Sequence, residues 1–331
     1  MSRRTDSKLA QSMPAPSLTG ERARTGNRRR GLSLAQKEAL TGLLLISPWI
    51  LGFLFFTVGP LAGSFWLSFQ RYGLLSPPTP VGFDNYVTGV TAPLFAKSLN
   101  VTARFCLMAV PGGVLGSLFC AMLLKQRVRG ILIYRTLFFM PSVVSSVAAT
   151  LMWTSILHSR FGLLNYWLRS VGISPAPNWL ASTTWALPAL LIMAMWTVGG
   201  PNTVVFLGAL QSIPQEYYEA ARIDGEGPVA AWRLITLPLL TPTIFFMTIL
   251  SIIWVFAQGS FTMAYLATEG GPNYATYFYS LYVYDNAFRF SKLGLASALA
   301  WMLFVMLVVV TYIYFRVGRY WVYYAGETSQ A

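Results

Sequence analysis

Six long apolar runs decide what this chain can fold into: residues 39–69, 98–124, 131–157, 185–210, 239–267 and 293–317. Each meets or exceeds the roughly twenty residues that a helix needs to cross a bilayer. With 55% hydrophobic residues and a mean hydropathy of +0.54, the chain is too apolar for one water-soluble core. An all-α integral membrane protein with six transmembrane helices is expected. Pro48 and Pro60 in the first run, Pro111-Gly112-Gly113 in the second, Pro141 in the third, and Pro188 with Gly199-Gly200-Pro201 in the fourth predict kinked or broken spans.

The net charge of +13 is concentrated in one tail and at the ends of the apolar runs. No folded basic face is indicated, so a nucleic-acid partner is not expected. Residues 1–38 are polar, arginine-rich and without apolar periodicity, which predicts a disordered cytoplasmic tail. The run that follows is too long for the apolar part of a cleaved signal peptide. Lys125, Arg127, Arg129 and Arg135 follow the second run with no acid among them and place that connection in the cytoplasm. Six spans then put both termini inside, with 318–331 as a short tail. Seventeen Lys and Arg fall on the cytoplasmic side against seven outside, a margin that rests mainly on the N-terminal tail. Residues 70–97, 158–184 and 268–292 read as outer loops, with Trp167 and Trp179 at headgroup level.

No catalytic set is visible. The chain lacks GxxxxGK[ST] and GxSxG, and its Gly225-Glu226-Gly227 has no third glycine, so it has no phosphate loop with which to hydrolyse ATP. Cys106 and Cys120 lie fourteen residues apart in one expected helix, about 21 Å along its axis, too far for a disulfide. One histidine and two separated cysteines make no metal set. Arg104 and Arg135 stand near span ends, so proton or sodium coupling through buried charge is disfavoured. Uncharged polar and aromatic groups do occur at mid-depth: Trp196 and Asn202 in the fourth run, and Gln258, Ser260, Thr262 and Tyr265 in the fifth. Hydroxyl-rich rings with apolar faces would be recognised by such groups, although helix–helix hydrogen bonding accounts for the same residues.

One polar island, residues 212–238, interrupts the apolar second half. Four acids (Glu216, Glu219, Asp224, Glu226) and two arginines (Arg222, Arg233) oblige it to leave the bilayer. Ser212 and Gln215 have capping-box spacing, and Pro214 suits a first turn. Asp224-Gly225 offers a left-handed helix stop, and Pro228 restarts a helix that Pro238 should limit. Helix, sharp turn, helix at the membrane surface is the shape of a docking knob, set against the plain alternative of a connecting loop.

The spacing within the island carries a resemblance. Glu219, Ala220, Ala221, then Gly225 after three residues, Ile235 after nine more, and Leu237-Pro238 resemble the EAA signature of ABC-importer permeases. The wording IPQEYYEAARIDGEG is similar to the sugar-importing, maltose and glycerol-phosphate branch. Thr268, Gly270, Gly271, Pro272 and Thr276 resemble its T-x-GGP element, and the N-terminal half is similar to the first of the two permeases in such systems. Phe261-Thr262-Met263-Ala264-Tyr265 departs from the usual Phe-Asp-x-Ile-Tyr and is similar to a subgroup with oligosaccharide and alginate-type permeases.

The resemblance implies a type I ABC-importer permease-like bundle over 39–317, in which 212–238 is a cytoplasmic coupling helix. It assigns ATPase coupling to Glu219, Ala220, Ala221, Asp224, Gly225, Ile235, Leu237 and Pro238. It implies a bacterial inner-membrane protein whose partners are a second homologous permease, two ATP-binding subunits and an extracytoplasmic sugar-binding protein. ATP and Mg would be used by the partner, with no cofactor on this chain. Trp196, Asn202, Gln258, Thr262 and Tyr265 are the expected substrate-pathway residues. The alternatives are a glycerol-phosphate-type permease, whose anionic substrate would want Arg or Lys in the pathway, and a membrane-embedded enzyme or structural subunit, for which no acid–base pair or metal set is visible at membrane depth.

Overall fold

A computed structural model describes residues 33–74, 76–126 and 128–323. Most of the expected basic tail and Arg127 lie outside the described residues. The chain divides into two units after Gly59. In the first, helix α1 (Leu34–Phe53) starts where Ser33 Oγ accepts the Gln36 N–H and Gln36 Oε1 accepts the Ser33 N–H, a reciprocal capping box. The helix therefore begins within the last residues of the expected tail. Pro48 is absorbed without a break, and the helix widens into a π turn over Leu54–Val58.

Among the described residues, four helical stretches are long and apolar enough to span a membrane: Leu34–Ser68, Pro93–Lys125, Pro228–Ala267 and Leu293–Gly318. Two of the six expected spans are broken, as Pro141 in the third run and Gly199-Gly200-Pro201 in the fourth predict. Helices α5 (Ile131–Val143) and α6 (Ser146–Ile156) meet at 96° and make a fifth span if counted together. Pro141 removes one helical donor, and Val144 and Ser145 are extended, which turns the chain. The fourth run splits into α8 (Ala186–Met195) and α9 (Pro201–Ser212), each too short to cross alone.

The second unit opens with α2 (Gly59–Ser68) and an antiparallel hairpin, β1 (Gln70–Gly73) with β2 (Ser76–Pro80), in which Gln70 faces Pro80 and Arg71 faces Thr79. The short helix α3 (Asp84–Thr91) follows. The expected outer loop 70–97 is thus mostly ordered. Asn85 Nδ2 ties it down by donating to the carbonyls of Ser68 (2.9 Å) and Gln70 (2.8 Å). Proline is admissible in β2 because each strand of a two-stranded sheet has a free edge.

Helix α4 (Pro93–Lys125) is the unit's axis and runs unbroken through Pro111 and its glycines. Where the sequence predicts an interruption, Gly112 and Gly116 serve close packing. A Cβ at Gly112 would meet Met195 Sδ at 3.1 Å, and one at Gly116 would meet Val198 Cγ1 at 2.8 Å. Lipid supplies no hydrophobic drive between helices, so small residues four apart that admit a neighbour are what hold such a pair together.

Two further expectations are corrected. Trp179 is a buried anchor rather than a headgroup residue: its Nε1–H donates at 2.7 Å to Oδ1 of Asn165 on the short helix α7 (Leu163–Ser170), and Asn165 Nδ2 donates to the carbonyls of Ser159 and Pro177. Residues 268–292 are no simple loop. The chain there enters the core as α14 (Tyr279–Tyr284), with Phe278 and Tyr279 fully buried. The Tyr279 N–H donates to Thr102 Oγ1 at 2.9 Å, its hydroxyl donates to the Leu299 carbonyl at 2.8 Å, and Phe278 packs edge-on against Phe105. The final helix, α15 (Leu293–Gly318), packs on the hairpin at Gly294, where a Cβ would collide with the Gln70 carbonyl oxygen. Cys106 and Cys120 are free thiols, as their separation requires.

Candidate functional site

The polar island folds as a helix, a tight turn and a second helix. Helix α10 (Gln215–Ile223) ends in a complete Schellman motif: the Glu226 N–H donates to the Ala221 carbonyl at 2.9 Å and the Gly225 N–H to the Arg222 carbonyl at 3.1 Å. Gly225 takes the left-handed conformation this requires, φ +79°. The expected capping box does not form. Ile213, held extended by the proline after it, ends α9 at Ser212, whose hydroxyl turns back to the Ala209 carbonyl. Pro214 is the N-cap of α10 rather than a first-turn residue. Nor does Pro238 limit the second helix. From α11 (Pro228–Ala231) the chain passes through a π turn over Trp232–Thr236 straight into α12 (Leu237–Trp254), with the Leu237 N–H reaching back to the Trp232 carbonyl. Pro238 lies in the first turn of α12, where its missing donor is tolerated.

The knob is therefore joined rigidly to the helix that descends from it. Glu219, Ala220, Asp224 and Gly225 are exposed on it, Ala221 is half-buried, and Ile235, Leu237 and Pro238 are half-buried on the return. The structure adds residues that composition did not single out. Ile223 (87% exposed), Val229 (77%) and Leu234 (64%) put apolar side chains on a polar loop. Behind them, the Tyr218 hydroxyl and Thr236 Oγ1 stand 2.9 Å apart, and Lys125 Nζ at the end of α4 lies 5.2 Å from the Tyr218 ring centre. A cleft of about 560 Å³ between α4 and the knob is lined by Met122, Lys125, Tyr218, Ala221 and Trp232, among others. Removing one hydroxyl with Tyr218→Phe should loosen the knob by about 1 kcal/mol. Faster amide exchange over 215–225 with no change over α4 would register it.

Deeper in the bundle, two cavity lobes of about 240 and 620 Å³ share Ser146, Ala149, Ala194, Thr197 and Trp254 as walls. Three helix irregularities converge on them: the bend at 144–145, the break at 196–200, and the π turn Val255–Gly259 beyond α12. Backbone groups freed at such breaks are tolerated at membrane depth only where something satisfies them. Here the freed Val198 carbonyl accepts from Ser117 Oγ at 2.9 Å and from Thr203 Oγ1 at 2.8 Å. Replacing both donors (Ser117→Ala with Thr203→Val) should cost about 1–3 kcal/mol more than the milder single change, since one hydroxyl can still serve that carbonyl. Thermal melts of the purified single and double variants would measure it.

The smaller lobe is lined by Trp153, Trp196, Trp254 and Thr262, and the larger by Asn202, Ser142 and Ser251. Trp153 and Trp196 meet edge-to-face with ring centres 6.3 Å apart, and the buried Trp153 Nε1–H has no hydrogen-bond partner among the described residues. Among the described residues, no side chain lining either lobe is charged. Of the expected pathway residues, Trp196, Asn202 and Thr262 thus face this space. Tyr265 lines neither lobe and instead stacks on Phe261 at 5.5 Å, while the side chain of Gln258 lies outside the described residues. Trp153 and Trp254 escaped the sequence reading because an isolated tryptophan in a span reads equally well as lipid-facing.

The family described as "Binding-protein-dependent transport system inner membrane component" matches residues 113–321, more than half of the chain. A probable ABC transporter permease protein of Bacillus subtilis, YesP, is 39% identical over 94% of this chain and 99% of its own length. The chain belongs to this permease family. The trehalose/maltose transport system permease protein MalF of Thermococcus litoralis is 34% identical over 87% of this permease and 96% of its own length. A chain of a bacterial ABC transporter involved in the import of the acidic polysaccharide alginate superposes with a TM-score of 0.76 at 22% identity, over 86% of this permease and 96% of that chain. The architecture is accordingly the ABC-importer permease bundle, an inner-membrane component that transports rather than catalyses.

Proposed function

We propose that this permease moves a neutral sugar or oligosaccharide through the two-lobed cavity by alternating access, driven through the 212–238 knob by a separate ATPase. The observation that carries the reading is the junction between knob and cavity. Residues 228–267 form one helical run, so the second helix of the knob, which starts three residues after Gly225, and the cavity wall at Trp254 and Thr262 belong to a single lever. A push on the exposed Glu219–Gly225 corner is passed along that lever to the lobes, where helix breaks give the bundle places to flex.

The rest of the assembly follows from the same reading. Two ATP-binding subunits bind the nucleotide and Mg in the cytoplasm, a second homologous permease completes the pathway, and an extracytoplasmic binding protein delivers the sugar. This chain binds no cofactor itself. Both termini lie in the cytoplasm of a bacterial cell, with the basic tail that precedes α1 and the short tail that follows Gly318 flanking the permease domain. Indole faces and uncharged hydroxyl and amide groups around the lobes favour a ring whose C–H faces stack and whose hydroxyls hydrogen-bond.

A glycerol-phosphate-type substrate has some support, since a permease named for sn-glycerol-3-phosphate transport in Shigella flexneri is 30% identical over 82% of the chain. The uncharged walls argue for the sugar, because an anion would want Arg or Lys there. Uptake by the reconstituted importer separates the two. Sugar uptake should require ATP, and Trp196→Ala should raise KM about tenfold, the loss of one stacked ring. Uptake of glycerol phosphate but of no sugar would refute the sugar reading.

A further inference from the structure

Four aromatic rings lie in series beside the cavity. Phe261 and Tyr265, one turn apart on α13 (Phe261–Ala267), stack with centres 5.5 Å apart and planes 12° from parallel. Tyr284, at the end of α14, lies 5.1 Å from Phe261 and 5.3 Å from Tyr265. Phe288 continues the series 5.0 Å beyond Tyr284 and is 65% exposed. The first two rings belong to the helix whose Thr262 and Met263 wall the smaller lobe. One end of the row therefore adjoins two wall residues of the smaller lobe in sequence, without lining it, and the other reaches the surface.

A row lying in the hydrocarbon of the bilayer would be bordered by apolar groups. This one is bordered by water-seeking ones. Arg289 follows Phe288 and pairs with both Asp285 (3.3 Å) and the exposed Glu269 (3.5 Å). Aromatic faces with hydroxyls, a guanidinium and carboxylates along their rim are the surroundings in which a sugar ring can stack and still hydrogen-bond.

We infer that Phe288, Tyr284, Tyr265 and Phe261 form an outer subsite for successive sugar rings, leading from the extracytoplasmic surface to the cavity, and that the natural substrate is an oligosaccharide of several rings. This deepens the proposed function and rests on it. A monosaccharide inside the lobes would leave the row empty. A longer chain would occupy both at once, and the row would contribute binding that grows with length until every ring is covered.

The test is uptake by the complete reconstituted importer of two size series, α-1,4-linked and β-1,4-linked glucose oligomers of two to six rings. Phe288→Ala should raise KM about five- to tenfold for the longer oligomers, should change it less than twofold for the disaccharide, and should leave kcat unaltered. Phe288→Trp should restore the wild-type values. Phe288→Leu, which keeps apolar bulk but has no ring face, should behave like the alanine variant. An equal effect at every length, no effect at all, or full activity in Phe288→Leu would overturn the subsite and leave the sugar reading standing. Failure of the wild-type importer to take up either series would count against both.

Discussion

Glu219→Lys should leave the permease in the membrane at wild-type abundance and lower uptake and substrate-stimulated ATP hydrolysis by more than a hundredfold. Glu219 is exposed on α10, one turn before the Schellman turn, and makes no ion pair among the described residues. Nothing among the described residues depends on its charge, so reversal leaves their fold alone. The loss is expected because the acid is presented outward, where a partner's base can meet it, and placing like charges there costs several kcal/mol. Gly225→Val reaches the same end through the backbone. Its Cβ would meet nothing within 4 Å, but φ +79° is strained for a β-branched residue by about 1–2 kcal/mol or more, so the corner loses its shape. Gly225→Asn, which tolerates that conformation, should retain much of the activity. Uptake and ATPase assays on the three variants, normalised to membrane content, check these outcomes together.

The second large effect belongs to Gly199. An added Cβ there would collide with the carbonyl oxygen of Phe138 on α5, and one at Gly200 would lie 2.9 Å from Ser142 Cβ. These contacts hold the break in the fourth run against the bend in the third, and both breaks wall the larger lobe. A backbone oxygen cannot move aside as a flexible side chain can. Gly199→Val should therefore destabilise the bundle by about 3 kcal/mol or more and abolish transport, whereas Gly208→Ala, where nothing lies within 4 Å, should be close to neutral. Thermal melts of the solubilised proteins, with uptake measured in parallel, separate the two.

Which features were legible in the sequence follows from how local their causes are. Apolar length and the Asp224-Gly225 stop depend on neighbours in sequence, and four of the six expected spans and the Schellman turn stand where those signals put them. Pro111-Gly112-Gly113 reads as a break because the same glycine that weakens a helix also admits a partner, and only the position of Met195 against Gly112 decides between these roles. Residues 268–292 read as a loop since Gly270-Gly271-Pro272 dominates locally. Thr102, which takes the Tyr279 N–H, is 177 positions away. The cavity was half legible: Trp196, Asn202 and Thr262 were identifiable as polar or aromatic residues at depth, whereas Trp153 and Trp254 join them through a bend and a π turn that periodicity does not forecast. The outward apolar residues Ile223, Val229 and Leu234 were hidden by the charges around them.

The central claim is that force enters this permease at its polar corner from the cytoplasmic side. Crosslinking measures it most directly. In a chain with Cys106 and Cys120 replaced by alanine, Ile223→Cys, at the most exposed apolar position of the knob, would be oxidised against cysteines placed in turn on the surface of the co-expressed ATPase. The account predicts a disulfide-linked pair, transport arrested while the bond is intact, and recovery on reduction. Labelling of that cysteine by an impermeant reagent added to intact cells from outside, or undiminished transport with the bond formed, would contradict it.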